Sequence, residues 1–157
     1  MPFVFSDLNA MRRFIVACCC LVSAFAARAG VIDIDNAELA KLAAAGVPII
    51  DVRTASEWEE TGIVPGSRLL TYFDERGRAD PVAWLGKAKS IAKPGDPLVV
   101  ICRSGNRSKT AGQFLAQQAG YLKVYNLKSG IRGWVAEGRP TASAAPALAS
   151  CRAAKIC

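Results

Sequence analysis

The most informative absence in this sequence is histidine, of which its 157 residues contain none. Cysteine and serine hydrolases use a histidine as their general base, and most catalytic zinc sites use histidine ligands. A Cys–His hydrolase and a histidine-ligated zinc site are therefore both excluded. No other pattern in the sequence indicates a metal or a cofactor. Because histidine is absent, any catalysis has to proceed without an imidazole to carry protons.

The sequence also lacks long runs of like charge, internal repeats and polar low-complexity stretches. Its net charge of +7 falls to +5 when segment 1–29 is set aside with Arg12, Arg13, Arg28 and Asp7. The remaining basic residues are scattered and form no stripe with interleaved aromatics, so nucleic-acid binding is not indicated. With 52% apolar and 21% charged residues, the chain has the composition of one domain with a buried core.

Residues 1–29 have the pattern of a signal peptide. From Met11 the sequence reads Met-Arg-Arg, continues with an apolar stretch at 14–27 and ends in the small-x-small pattern Ala-Arg-Ala at Ala29. The apolar stretch is short for a membrane span. We therefore expect cleavage after Ala29, a periplasmic or secreted protein, and no stable membrane insertion after cleavage. Met11 is an alternative translation start, and an ordinary buried helix is the alternative to a signal peptide.

Three of the six cysteines lie in segment 1–29, which leaves Cys102, Cys151 and Cys157. An odd number of cysteines in an oxidising compartment indicates one disulfide and one free thiol. Cys151 and Cys157 lie close together in an Ala-rich C-terminal segment, 141–157, which we expect to be a loose tail. They can pair with each other, and we expect neither to be needed for catalysis. Cys102 is then the single free thiol.

Between residues 31 and 140, short apolar runs alternate with helical patterns. Runs of strand length are found at 31–34, 48–52, 67–71, 98–101 and 123–126. Helices are expected at 36–45, 54–61, 81–91, 107–119 and from Gly130 onward. Asp35 and Thr54 are placed to cap the first two helices, with Glu57 completing a capping box. This alternation predicts an α/β fold: a single domain with an open parallel sheet and helices on both faces.

The segment most indicative of chemistry follows the fully apolar strand 98–101. It reads Cys102-Arg103-Ser104-Gly105-Asn106-Arg107-Ser108 and leads into a helix. Ligands of open parallel sheets bind at the carboxyl ends of strands. A short glycine-containing loop that enters a helix turns backbone N–H groups toward one point. With two arginines beside it, this loop favours the thiolate over a thiol whose ordinary pKa is about 8.5. A structural cysteine beside two surface arginines is the alternative.

The loop resembles the active-site loop of the rhodanese family nearly residue for residue, and the resemblance extends over about residues 31–140. Supporting motifs are Asp51-Val52-Arg53, Glu57-Trp58, Val64-Pro65-Gly66-Ser67, Gly130-Ile131-Arg132-Gly133-Trp134 and Gly138-Arg139-Pro140. Two features depart from the family pattern. Ile63 stands where relatives often have a histidine, and the motif beginning at Gly130 has a longer spacing than the usual double glycine.

This resemblance implies a thiosulfate sulfurtransferase that works without a cofactor. Cys102 is then the catalytic residue, which takes sulfane sulfur from a small anionic donor such as thiosulfate and holds it as a persulfide. The sulfur passes to cyanide, a thiol or a protein acceptor. The substrate-binding residues are then Arg103, Ser104, Gly105, Asn106 and Arg107. Sulfite leaves as an anion and needs no general acid, which suits a chain without histidine.

Two alternative functions remain beside the enzyme. The first is a rhodanese module that carries sulfur or senses oxidants for a partner without turnover. The second is the related phosphatase and arsenate-reductase group, whose loop places five residues between cysteine and arginine. Here only four residues separate Cys102 from Arg107.

The residues around the loop also have expected roles. Asp51, Arg53 and Glu57 are expected to form a structural ion-pair network beneath the site, and the three tryptophans are expected to pack in the core. An irregular loop that contains Tyr72, Phe73, Asp74 and Arg76 is a candidate for the mouth of the site. Arg107 is expected to reach back toward the sulfur, with its neighbour Arg103 nearer to solvent.

Overall fold

A computed structural model describes residues 30–156, so the predicted signal peptide and Cys157 lie outside the described residues. The strands are β1 (Val31–Ile34), β2 (Ile49–Asp51), β3 (Arg68–Leu69), β4 (Leu98–Ile101) and β5 (Val124–Leu127). The helices are α1 (Asn36–Ala44), α2 (Ala55–Thr61), α3 (Pro81–Ala88), α4 (Asn106–Gln118), α5 (Gly130–Ala136) and α6 (Ala145–Ala153). None of these helices is long and apolar enough to span a bilayer.

The five strands form one sheet in the order β1-β5-β4-β2-β3, and every neighbouring pair is parallel. The predicted open parallel α/β fold is therefore confirmed. β4 is the middle strand, and all four of its residues are buried. Leu98 and Val100 pack on one face with α3 and α4, whereas Val99 and Ile101 pack on the other with α1 and α5. A strand covered on both faces has to be apolar at every position, which explains the uninterrupted run.

Side-chain caps define where several helices begin. The Asp35 carboxylate accepts a hydrogen bond from the Glu38 N–H at 2.9 Å, as its position before α1 predicts. The Thr54 N–H donates to the Glu57 carboxylate at 3.2 Å, which gives the expected reciprocal contact at the start of α2. Helix α3 ends at Ala88, three residues earlier than predicted, because the chain continues into turns.

The prediction of a loose C-terminal tail is wrong. Residues 145–153 form α6, whose residues Leu148 and Cys151 are buried against Trp58 and Leu69. Before α6, Ala142 makes an antiparallel bridge with Ile63. The apolar residues at 144, 148 and 151 recur at helical spacing and therefore share one face. The alanine-rich composition predicted a loose segment, but the apolar residues at this spacing pack over the edge strand β3.

Candidate active site

Cys102 lies directly after β4, between the neighbouring strands β2 and β5, and its residue surface is 1% exposed. Its thiol is free, and it is the single free cysteine of residues 30–156. Cys151 is disulfide-bonded. Its predicted pairing with Cys157 stays a prediction, because Cys157 lies outside the described residues. The central strand therefore places one free thiol at the edge of the sheet where ligands of this fold bind.

The active-site loop, residues 102–107, points one backbone N–H group at the sulfur. The Gly105 N–H donates to Cys102 Sγ at 3.2 Å. Gly105 has φ +93°, and a Cβ there would overlap the carbonyl of Lys128, so the position requires glycine. The loop also carries backbone N–H groups that have no acceptor within residues 30–156, namely those of Arg103, Ser104, Asn106 and Arg107. These donors are available to an anion bound at the sulfur.

The carbonyl groups of the loop point the other way, toward the start of α5. The Ile131 N–H donates to the carbonyl of Cys102 at 2.9 Å, and the Arg132 N–H donates to that of Arg103 at 3.2 Å. The first N–H groups of a helix have no partner within the helix, so the loop and α5 satisfy each other. Gly130 permits this approach, because a Cβ on it would overlap the Arg103 carbonyl group.

The two arginines of the loop have different surroundings. Arg103 is exposed and forms no ion pair with any residue in the part of the chain that the structure describes. Arg107 donates two hydrogen bonds to the Glu57 carboxylate, at 2.6 and 2.9 Å. Burial raises the pKa of Glu57, but the hydrogen bonds from Arg107 and the Thr54 N–H outweigh this effect and lower the pKa below its ordinary value of 4.5. The charge of Arg107 is thus compensated locally.

Beneath the site lies a second ion pair, which is fully buried. The Arg53 guanidinium binds the Asp51 carboxylate through Nε at 2.9 Å and Nη2 at 2.7 Å, and both side chains are 1% exposed or less. Its remaining N–H groups donate to Thr61 Oγ1 and to the carbonyls of Glu57 and Gly62. The predicted network beneath the site therefore exists for Asp51 and Arg53. The carboxylate of Glu57 belongs instead to the site above.

A cleft of about 480 Å³ opens beside the active-site loop. Its lining comprises Thr54, Ser56, Glu57, Phe73, Asp74, Glu75, Gly77, Arg103 and Arg107. Of the four residues predicted at the mouth, Phe73 and Asp74 line the cleft, whereas Tyr72 is buried in the core and Arg76 is not part of the lining. A larger cavity of about 550 Å³ elsewhere contains no residue of the active-site loop, so the chemistry and not the volume identifies the site.

Sequence reasoning missed a chain of buried polar side chains that contacts the sulfur through Ser108. Ser108 Oγ lies 3.2 Å from Cys102 Sγ and 2.6 Å from Asn126 Oδ1 on β5. Asn126 in turn donates to Asp33 on β1, which is paired with Lys109. The available signal was a single asparagine in the otherwise apolar or aromatic strand Val124–Leu127, since a buried amide requires hydrogen-bond partners.

The fold and the site together define a parallel α/β protein whose central strand ends in a free cysteine, followed by a short loop with unpaired backbone N–H donors in residues 30–156. Comparison with known proteins agrees with this class. The model of the rhodanese-like domain family matches residues 35–137. Thiosulfate sulfurtransferase 18 of Arabidopsis thaliana is 32% identical over 115 residues, which cover 70% of this chain and 82% of that protein. The chain belongs to the rhodanese-like domain family.

Solved structures show the same fold. A rhodanese-related protein from Thermoplasma volcanium has a TM-score of 0.55 and 28% identity, over 71% of this chain and 97% of its own. A Rhodopseudomonas palustris protein of unknown function, described as a possible tyrosine phosphatase, has a TM-score of 0.54 and 23% identity. That likeness covers 90% of this chain and 99% of the other, and at this identity it speaks for the fold alone.

Proposed function

We propose that the protein is a thiosulfate sulfurtransferase that carries sulfur on Cys102. The observation that supports this most directly is the surrounding of the sulfur: a Gly105 N–H and a Ser108 hydroxyl at 3.2 Å, beside loop N–H groups without acceptors in residues 30–156. Such donors stabilise negative charge on sulfur without a general base. Its sulfurtransferase relative has the same chemistry in its name.

The proposed reaction has two half-reactions. The Cys102 thiolate attacks the sulfane sulfur of thiosulfate, a new S–S bond forms, and the bond to the sulfonate sulfur breaks. Sulfite leaves with the electron pair, and a persulfide remains on the cysteine. Cyanide or a thiolate then attacks the outer sulfur, and Cys102 departs as the thiolate. Neither half-reaction requires a proton transfer, which is consistent with a chain that has no histidine.

The charge distribution supports an anionic donor. Arg103 is exposed at the cleft and has no carboxylate partner within the described residues, whereas Arg107 is held by Glu57. Thiosulfate carries two negative charges, so Arg103 is the side chain proposed to attract it. Ser104 and Asn106, both exposed, offer the donor their backbone N–H groups, while the N–H of the buried Gly105 donates to the sulfur itself. For this reason we place the donor between Arg103 and the sulfur.

The test is turnover of thiosulfate and cyanide to thiocyanate and sulfite by the mature protein. We expect activity in the parent, none in Cys102→Ser, and an unchanged circular dichroism spectrum in that variant. Mass spectrometry after thiosulfate alone should show a species about 32 Da heavier, one sulfur atom. Persulfide formation without turnover would instead support a sulfur-carrier module. The absence of both persulfide and turnover would refute the proposal.

We further propose that the protein acts outside the cytoplasm. The proposal rests on the pattern in residues 1–29: two arginines, an apolar stretch and a small-x-small end. It also accords with the disulfide at Cys151, because disulfides persist in oxidising compartments. Sulfur acceptors there would be small thiols or cysteines of exported proteins.

A further inference from the structure

The hydroxyl of Ser108 has one proton and three neighbours that can receive it. Its oxygen lies 2.6 Å from Asn126 Oδ1, 3.2 Å from Cys102 Sγ and 3.2 Å from the carbonyl of Gly105. Ser108 is completely buried, and Asn126 is 2% exposed, so solvent does not supply a substitute partner. A hydroxyl donates one hydrogen bond at a time. These neighbours therefore compete for it.

The orientation of the Asn126 amide is fixed by Asp33. A carboxylate only accepts hydrogen bonds, so the Asn126 contact to Asp33 Oδ1 at 2.8 Å has to come from the amide nitrogen. Hydrogen bonds from Asn126 and Lys109 lower the pKa of Asp33 below its ordinary value of 3.8, so that it is a carboxylate at neutral pH. The amide oxygen of Asn126 consequently faces Ser108, as an acceptor.

We propose that Asn126 is a positioning residue for sulfur transfer. It competes with Cys102 for the hydrogen bond that the Ser108 hydroxyl donates, and so determines how strongly Ser108 stabilises negative charge on the sulfur. In the thiol form, Cys102 donates to Ser108 and Ser108 donates to Asn126, so every partner is satisfied. In the thiolate form, the hydroxyl turns to the sulfur and Asn126 Oδ1 loses its donor. This inference rests on the sulfur transfer proposed above.

The competition gives Ser108 a different partner in each half-reaction. On the free enzyme the negative charge is on Cys102 Sγ, and the hydroxyl donates there. After persulfide formation the charge is on the outer sulfur, so Sγ becomes a weak acceptor. The Ser108 hydroxyl then donates its hydrogen bond to Asn126 Oδ1 again, at the shortest of the three distances. When the acceptor removes the outer sulfur, the hydroxyl turns back to stabilise Cys102 as the leaving group.

The charged residues around the sulfur are unchanged in the variants that test this proposal, except in Asp33→Asn. Besides Asp33 with Lys109, the elements packed around Cys102 carry Asp51 with Arg53, Glu57 with Arg107, Arg103, Lys128 and Arg132. A change in thiolate formation that depends on Ser108 therefore reports the hydrogen bond. Charge effects persist when the hydroxyl is removed.

The experiment measures the rate of iodoacetamide alkylation of Cys102 against pH, with peptide mass spectrometry to assign the site. Ser108→Ala removes the donor, and the pH midpoint should rise by about half to one unit. Asn126→Leu keeps the branched shape of the side chain but removes the competitor, and the midpoint should fall by a similar amount. A purely structural role for Asn126 predicts no fall, because a disturbed site loses donors to the thiolate.

Asp33→Asn is a second route that does not disturb the core, since the side chain of Asp33 is 39% exposed. Its amide lets Asn126 turn over, so that Asn126 no longer accepts from Ser108, and the midpoint should again fall. Both substitutions should lose this hydroxyl-dependent effect in a Ser108→Ala background. A midpoint that rises in Asn126→Leu, or shifts of equal size with and without Ser108, would overturn the proposal.

The readout separates this inference from the proposed function. Alkylation reports the thiolate and needs neither thiosulfate nor an acceptor. Absence of turnover in the parent would refute the sulfurtransferase while the alkylation profiles still show the competition. Conversely, full turnover with a midpoint unaffected by Asn126→Leu would retain the enzyme and refute the role of Asn126.

Discussion

Arg107 and Glu57 face each other at the edge of the cleft, joined by two hydrogen bonds across 50 positions of sequence. This pair makes the two loop arginines unequal. Arg103 is exposed and has no carboxylate partner in residues 30–156. The Arg107 guanidinium binds the Glu57 carboxylate and so connects α4 with α2. The expectation that Arg107 reaches back toward the sulfur stays a prediction, because its guanidinium interacts electrostatically with Cys102 as well as binding Glu57. We assign donor attraction to the exposed Arg103.

Donor binding should depend on Arg103 more than on the pair. Arg103→Gln should lower kcat/KM for thiosulfate about ten-fold at low ionic strength, and by less at high salt because the side chain is exposed. Arg107→Gln combined with Glu57→Gln removes both charges together and should cost less than about threefold. Arg152 is exposed on α6, and Arg152→Gln removes one positive charge as Arg103→Gln does, so it controls for the change in net charge. Equal losses in Arg103→Gln and the double variant would contradict this assignment.

The Glu57–Arg107 pair should stabilise the fold only while Glu57 is ionised. Because the pKa of Glu57 is lowered on folding, its contribution is present above the ordinary value of 4.5 and is lost as pH falls through the folded value. The parent should exceed Glu57→Gln by about 1 kcal/mol in unfolding free energy at pH 7. Urea denaturation from pH 7 to pH 3 should show this difference shrinking in acid. A difference that is independent of pH would mean that charge is not involved.

Gly130 and Gly138 provide a matched pair of substitutions. Both have positive φ, +59° and +69°, so alanine is strained at either position by about 1 kcal/mol. Only at Gly130 would the new Cβ meet the backbone of Arg103 and Ser104; at Gly138 nothing lies within 4 Å. Gly130→Ala should displace the active-site loop and reduce kcat/KM more than about ten-fold, while Gly138→Ala keeps the activity of the parent. Similar activity in both variants would show that the loop tolerates the displacement.

The C-terminal helix should contribute to stability and not to chemistry. Leu148 is 4% exposed, and its truncation to alanine opens a cavity beside Trp58 and Leu69. Leu148→Ala should lower the unfolding free energy by about 2 to 4 kcal/mol, with kcat/KM for thiosulfate unchanged well below Tm. Val82→Ala, at a side chain that is 79% exposed, is the control and should change neither. Loss of kcat/KM in a folded Leu148→Ala protein would link the helix to catalysis.

Export should leave a mature chain that begins at Gly30. The small residue at Ala29 is the expected cleavage position, so Ala29→Leu should retain the precursor while the parent is processed. N-terminal sequencing of protein from the periplasm or medium measures this. Recovery of the uncleaved parent chain in the cytoplasm alone would contradict the proposal.

The part of the site that the sequence predicted well is the part that is local in the chain. A fully apolar strand followed by Cys102 and a short glycine-containing loop predicts a free cysteine at the end of a buried strand, where the structure has it. The N-caps at Asp35 and Thr54 are local for the same reason, since each involves a residue three positions on. Patterns of this kind depend on chain geometry, which the sequence displays directly.

The contacts that sequence reasoning missed join residues that are far apart in the chain. Glu57 has two cationic candidates, Arg53 four positions back and Arg107 fifty positions on, and only the fold decides between them. Asn126 meets Ser108 because β5 lies beside β4 in the sheet. The packed helix α6 is local but has a mixed signal: its alanine-rich composition is typical of a loose segment, and only the spacing of its buried residues indicates a packed helix.

The contact between the active-site loop and α5 makes two amide protons reporters of the site. The N–H groups of Ile131 and Arg132 are hydrogen-bonded to the carbonyls of Cys102 and Arg103, so they exchange with deuterium only when the loop and the helix separate. An anion that holds the loop in place stabilises these bonds. Its binding is therefore visible as slower exchange in α5.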